Sequence, residues 1–394
     1  MFSHRTGWNL TTNRYTEALA QYRQSGRELF DLTASNPTMI GLSYHEAGLS
    51  YALARSEALT YQPIAKGLLS ARQAIAGYYA EMGSAVDPED LILTTSTSEA
   101  YSFVFRLLCD AGDSVLVPIP SYPLFDFLAD LNDVRLEPYE LVYDHGWQID
   151  FNSLQSAVRR AKSGGRRCRA VMLVHPNNPT GSFIKAHERD SLNRICLAHE
   201  MAIIADEVFL DYGLTGRASH TFSGNDSALT FTLSGLSKIS ALPQMKIAWI
   251  AVSGPPAEKS EALARLEVIA DTYLSMNAPL QLAVPAMLAE RHHIQPQLRL
   301  RVHQNLSALD TQLSAHRSCE RLALEGGWYA VLRVPALGSD EDLAVALLQS
   351  TEVLLHPGHF YNFPSDGYLV ASLITPTGEF GTGISRALDF ISAR

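Results

Sequence analysis

Short runs of consecutive apolar residues alternate with amphipathic stretches over most of this chain. Leu91 to Thr94, Ser114 to Pro118, Ala170 to His175, Met201 to Ala205, Leu229 to Leu233 and Ile247 to Val252 each read as a strand closed by a turn signal. Strands that stay apolar without alternation are buried on both faces. Helical patterns over Leu68 to Met82, Glu99 to Cys109 and Tyr122 to Leu131 lie between them. Together they predict an α/β fold, a mainly parallel sheet covered by helices. In such sheets ligands gather at the carboxyl ends of the strands. Upstream, the pattern predicts a helix over Arg14 to Gln24 and a short strand at Phe30 to Thr33, ending in the turn Ser35-Asn36-Pro37-Thr38. After Pro255 the chain reads as mostly helical to about His316. Strand-like Gly327 to Val334, a helix from Asp340 to Gln349, short strands around Val353 to His356 and Leu369 to Leu373, and a last helix to Arg394 follow. The expected division is a large domain over 46–285 and a small α+β domain built from 1–45 and 286–394.

Length and charge narrow the classes. The chain has 394 residues, 46% of them hydrophobic, enough for a substantial core. A formal charge of −10 with no basic stripe argues against nucleic acid or an anionic membrane as partner. The densest basic run, Arg159 to Arg169, reads as a solvated Gly-containing loop. Four cysteines, Cys109, Cys168, Cys196 and Cys319, lack metal or redox spacing and read as free buried thiols of a reducing compartment. With no apolar signal core and no run of about eighteen apolar residues, a cytoplasmic protein is expected.

The candidate chemistry sits just after the apolar runs. In Ser237-Lys238 a lysine follows a buried strand directly, and Ile247 to Val252 begins nine residues later. Desolvation there lowers the amine's pKa and makes it a nucleophile, as Schiff-base chemistry on a carbonyl cofactor requires. Thr94-Thr95-Ser96-Thr97-Ser98-Glu99 joins a strand to a helix with capping-box spacing, leaving amides free at a positive helix end where phosphate binds. Pro120-Ser121-Tyr122 puts an aromatic ring at the sheet edge. The rigid loop His175-Pro176-Asn177-Asn178-Pro179-Thr180-Gly181 presents an amide, and Asp206-Glu207 closes a buried strand where a carboxylate wants a cation. Judged alone, each has an ordinary reading: surface lysine, capped helix, packing aromatic, plain turn, salt bridge. In this order and at this spacing they describe a pocket for pyridoxal 5′-phosphate.

On Asn177-Asn178-Pro179-Thr180-Gly181, Asp206-Glu207-Val208 and Ser237-Lys238, the chain from about Asp31 onward resembles the class I/II aminotransferases of the aspartate aminotransferase fold, fold type I. The resemblance implies a mainly parallel seven-stranded sheet. It implies Lys238 as the Schiff-base lysine that also moves the substrate proton, and Asp206 as partner of the pyridine nitrogen, so that the ring accepts charge. Asn178 would donate to the ring's phenolic oxygen and Tyr122 would stack on the ring. Ser96, Thr97 and Ser98 would hold the phosphate, with Lys246 as its cation, and Ser237 or Ser234 would stand in for a family serine that position 235 lacks. Tyr61 matches a tyrosine that reaches the neighbouring subunit's phosphate, which implies a homodimer with shared sites. The implied activity is transfer of an amino group from an amino donor to a keto acid; a C–S lyase on the same scaffold and a non-catalytic cofactor-binding regulator remain as alternatives.

Four positions depart from that family pattern. Lys246 stands where arginine is usual, Gly235 where a serine is, and Phe209 where a tyrosine donates to the phenolic oxygen; Tyr212 is a candidate to compensate. The fourth is Val370, in the place of the arginine that forks onto the substrate's α-carboxylate. No arginine lies between Arg333 and Arg386, so a small slip in register does not restore one. The expected substrate is therefore atypical, or anchored by another cation; Arg5, Arg14, Lys66 and Arg333 are candidates, with Asn36 as a further hydrogen-bonding group.

Overall fold

The computed structural model describes residues 1–214, 220–274 and 276–394. Its centre is one eight-stranded sheet, in the order Leu91–Thr94, Ala248–Ser253, Thr230–Gly235, Ala202–Asp206, Cys168–Val174, Ser114–Ile119, Arg135–Tyr143 and Trp147–Ile149. The middle of the sheet is parallel, and the outer pairings, at Ala248–Ser253 on one side and Trp147–Ile149 on the other, are antiparallel. Both faces of the central strands are buried. Val171, Leu173, Ile203 and Ala205 enter one core, and their neighbours Ala170, Met172, Val174, Ala202 and Ile204 enter another. That is why these strands carry no polar alternation.

The strand count corrects the seven expected from the family resemblance. Arg135–Tyr143 and Trp147–Ile149 form a hairpin at the sheet edge, and the charged Arg135, Glu137 and Glu140 interrupt its apolar pattern. Arg135 and Glu140 face solvent there, while the buried Glu137 is met by arginines. The basic run is also corrected. Arg159 to Ser163 end the helix Phe151–Ser163, and Cys168 begins a strand. Its arginines meet acids: Arg160 and Arg166 reach Glu137, while Arg167 and Arg169 reach Asp113. The helix expected from Tyr122 begins only at Phe125, so Tyr122 stands in the preceding turn, at the mouth of the sheet.

A second, antiparallel sheet runs Glu320–Arg321, Tyr329–Arg333, Tyr368–Ser372, His356–Pro357. Phe30–Asp31 pairs in parallel with Val353–Leu354 beside it, tying the start of the chain to its end. Among the described residues, no helix is long and apolar enough to cross a membrane.

The loop carrying Asn178 closes through Gly181, whose φ of +68° lies in the left-handed region. A Cβ there would collide with Leu324 and with the Gly326 carbonyl. Gly181→Ala therefore combines backbone strain with overlap and is expected to destabilise the protein by about 2 kcal/mol or more. The urea midpoint of the variant against wild type checks this; an unchanged midpoint would show that the loop shifts freely.

Candidate active site

The carboxyl ends of the parallel strands and the turns after them enclose a cavity of about 330 Å³. Ser96, Thr97, Ser98, Tyr122, Asn178, Asp206, Ser237 and Lys238 all line it. At its floor, the helix Thr97–Leu108 begins with Ser96 as cap: Ser96 Oγ accepts from the Glu99 amide at 3.1 Å, and Glu99 accepts from the Thr95 amide at 2.6 Å. The amides of Thr97 and Ser98 are left for a ligand, beside three hydroxyls.

Asp206 ends its strand inside the protein. Its Oδ2 accepts from Tyr101 Oη at 3.0 Å and its Oδ1 from the Val208 amide at 3.1 Å. Burial pushes its pKa up to about 6, although both donors and the charge of Lys238 pull the other way. Glu207, one residue on, points to the opposite side of the strand and is satisfied by Thr221 Oγ1 and the Phe222 amide, both at 2.6 Å. The two acids therefore have separate tasks. Asn177 and Asn178 divide in the same way. Asn177 binds Thr180 within the loop, whereas Asn178 lies buried with its Oδ1 unpartnered.

Lys238 lies on a single helical turn, Leu236–Ile239, directly after the strand Thr230–Gly235. Burial pushes its pKa down to about 8, against the pull of Asp206. Its Nζ donates to the Ser35 carbonyl at 3.3 Å and lies 5.0 Å and 5.6 Å from the ring centroids of Trp328 and Phe209. Gly235 has a packing reason. A Cβ there would lie 2.8 Å from the Ile247 carbonyl oxygen and 2.9 Å from Ala248 Cβ, so a serine does not fit without movement. Ser237 lines the cavity, while Ser234 is buried with its hydroxyl unpartnered.

Lys246 and Tyr61 are not brought to this cavity: both side chains are exposed. Tyr212 does not replace the donor lost at Phe209, since its hydroxyl donates to the Lys238 carbonyl at 2.7 Å. Val370 is buried in the second sheet, opposite Val331 and His356. The alternative cations are all engaged elsewhere: Arg5 with Asp133, Arg14 with Asp342, Lys66 with Glu89, Arg333 with Glu320. Asn36 caps its own turn through Thr38. Among the described residues, Lys238 is the one cationic side chain on the cavity wall.

The sequence reading missed Tyr101, Tyr329 and the Ser35 carbonyl. Tyr101 stands four residues after Thr97, on the same face of the helix that opens at the anion loop, and that spacing is the signal that could have found it. Nothing local marks Tyr329 or Ser35, which arrive from the other sheet and from the N-terminal segment.

The residues fit pyridoxal phosphate. A buried carboxylate short of a cation suits a ring nitrogen, the NH2 end of the Asn178 side chain on the cavity wall can donate to a phenolic oxygen, and free helix amides suit a phosphate. The comparisons agree. The model of the aminotransferase class I and II family matches residues 10–375, and the chain belongs to that family. It is thus a pyridoxal-phosphate-dependent aminotransferase of fold type I. It is 26% identical over 391 residues to an alanine aminotransferase of Mycobacterium tuberculosis, covering 94% of this chain and 87% of the relative. It is 24% identical to a glutamate-pyruvate aminotransferase of Escherichia coli, covering 94% and 92%. Among solved structures, an alanine aminotransferase from Pyrococcus furiosus superposes over 100% of both chains with a TM-score of 0.87 at 21% identity. A Thermus thermophilus aspartate aminotransferase double mutant superposes over 99% of both chains, with a TM-score of 0.84 at 20% identity.

Tyr101→Phe removes one donor from the ionised form of Asp206 and so raises its pKa further. A hydrogen bond to a charged group contributes about 1.5–3 kcal/mol, so the pH of half-maximal cofactor retention is expected to rise by about one unit. Cofactor absorbance after gel filtration between pH 5 and 8 measures it, and superimposed curves would remove Tyr101 from the site.

Proposed function

We propose that this aminotransferase takes an amino donor without an α-carboxylate, a simple or ω-amine, with Lys238 as the covalent and proton-moving group. The observation that carries the substrate reading is Val370, sealed in an apolar sheet while no cation other than Lys238 lines the cavity among the described residues. The wall facing the amine is made by Tyr122, Val208, Phe209 and Tyr329, which favours an apolar substituent over a carboxylate. The named activities of the relatives concern amino acids, so Val370 is where this chain would part from them.

When bound, pyridoxal phosphate supplies a carbonyl carbon and an electron-withdrawing ring. Asp206 would hold a proton at the ring nitrogen, and its carboxylate, ionised above about pH 6, would find in that cation the partner it lacks. Asn178 would hold the phenolic oxygen, and Ser96, Thr97, Ser98 and Ser237 the phosphate. Tyr122 would bound the ring face. Lys238, with its pKa near 8, carries a sizeable fraction of free amine at neutral pH and would take the proton from the substrate carbon and return it. The exposed Tyr61 would reach the neighbouring subunit's phosphate across a homodimer interface, in line with the exposure of the neighbouring Tyr51, Leu59 and Leu69, while the exposed Lys246 would turn in as the cation of its own chain's phosphate.

Borohydride reduction of the holoprotein and peptide mass mapping should place the cofactor on Lys238; label on another lysine would overturn that role. Phe209→Tyr restores a donor to the phenolic oxygen, which stabilises the ionised form. The pKa read from the cofactor's visible absorption is then expected to fall by about one unit; an equal pKa in both proteins would mean that another group already donates.

Loss of one partner of a buried charge pair costs about 2–5 kcal/mol, or roughly 30-fold to several thousand-fold in kcat/KM. Aspartate, alanine and glutamate are therefore expected to be poor donors for the wild type, and simple amines better ones. Val370→Arg should move the ratio toward α-amino acids. Steady-state assays over a donor panel, with 2-oxo acids and simple aldehydes as acceptors, decide it. Efficient wild-type turnover of a common α-amino acid would refute the amine reading.

A further inference from the structure

Away from the cavity, three metal-ligating side chains converge where the segment leaving the first strand meets a join between two helices. His45 immediately precedes the helix Glu46–Leu53. Glu290 links the helix Ala278–Ala289 to the helix Arg291–Leu313, and His293 lies in the first turn of the latter. One donor atom from each of the three lies within 4.8 Å of those of the other two. His45 Nδ1 is 3.1 Å from Glu290 Oε2, and the two imidazole rings stand 4.1 Å apart at 34°. Ser43 Oγ lies 3.1 Å from His293 Nε2, on the same side.

The carboxylate is the telling member. Its side chain is 4% exposed, and its one ion-pair partner among the described residues is His45, which is charged only when protonated. A carboxylate buried to that degree is costly to leave without a cationic partner. A metal ion held between this carboxylate and the two imidazoles supplies that partner.

We infer that His45, Glu290 and His293 form a binding site for a divalent transition-metal ion, with Zn²⁺ the best match. Two imidazole nitrogens and one carboxylate oxygen suit Zn²⁺ and its neighbours, whereas Mg²⁺ and Ca²⁺ prefer all-oxygen sites. With metal–ligand bonds of about 2.0–2.2 Å at a tetrahedral angle, ligand atoms sit about 3.3–3.6 Å apart. His45 Nδ1 and Glu290 Oε2 are already 3.1 Å apart, and bringing in His293 needs side-chain movements on the order of an ångström, which the exposed His45 and the half-buried His293 can share. On binding, neutral His45 takes the tautomer with its proton on Nε2, which frees the Nδ1 lone pair for the ion, and water fills the open position. The ion would staple the segment around Ser43 to both helices, where the His45 amide donates to Glu290 at 3.0 Å and the Ser43 amide donates to Gln297 at 3.0 Å. That segment begins near Ser35, whose carbonyl accepts from Lys238. The role assigned is therefore structural: the ion fixes the chain beside the cavity and touches no reacting atom.

Chelator-treated holoprotein is titrated with Zn²⁺ by calorimetry in a non-coordinating buffer, beside His45→Ala and His293→Ala. Thermal midpoints are measured with and without the ion. The expected result is one Zn²⁺ per wild-type chain with a Kd on the order of micromolar, weakened at least about tenfold in either variant. The Zn²⁺-dependent rise in midpoint should be present in wild type and lost in both variants. A wild-type protein that takes up no Zn²⁺ below about 1 mM, or variants that bind it equally well through other histidines, would overturn the assignment. His45→Ala also removes the side chain that pairs with the buried Glu290, so its metal-free midpoint is read against wild type, and His293→Ala, which leaves that pair in place, tests the site independently.

Discussion

An acid placed at the end of a buried strand with no full charge to meet it is the constraint around which this protein is arranged. Asp206 has two hydrogen-bond donors, Tyr101 and the Val208 amide, and these offset part of its desolvation. They do not neutralise it. Across the cavity, Lys238 has the complementary difficulty, an ammonium over aromatic rings with one backbone carbonyl in reach. Burial drives the two groups toward neutrality from opposite sides, to about 6 and about 8. A ligand that offers a protonated ring nitrogen to the one and a carbonyl carbon to the other relieves both. Cofactor occupancy and fold stability are thereby linked.

Its neighbour Glu207 shows the same burial put to a structural use. That carboxylate is pushed higher, to about 8, yet both its oxygens are taken by protein donors and none is left for a ligand. Strand periodicity separates the two side chains to opposite faces, so a single Asp-Glu step serves cavity and core together. Val370 makes a comparable point. Its place in the second sheet puts it among apolar neighbours opposite Val331, where a lone guanidinium would need a carboxylate to justify its burial.

The parts of the fold that were legible are those governed by one strong signal. Central strands buried on both faces read as apolar runs, and the lysine, the Asp-Glu pair and the Asn-Asn-Pro loop stand where those runs stop. The edge hairpin was not legible, because the charges of Arg135, Glu137 and Glu140 mask its period. Tyr122 was placed in a helix because its neighbours are apolar, although its own backbone belongs to the preceding turn. Spacing suggested that Tyr212 could stand in for Phe209, but direction decides such matters, and its hydroxyl turns to a main-chain carbonyl instead. Contacts that join distant segments, such as Ser35 to Lys238 or His45 to Glu290, leave no mark on local sequence at all.

The main chain around Lys238 is held at three anchor points within four residues. Tyr212 takes the carbonyl of residue 238 itself, Gln295 that of Ile239 at 3.0 Å, and Tyr44 that of Ala241 at 2.8 Å. Each clamp comes from a different segment, so the peptide frame beneath the amine is immobilised. All remaining freedom of the nucleophile then resides in the torsions of its own four-carbon stem. A proton carried by that amine would be handed over by turning that stem, with the main chain beneath it standing still.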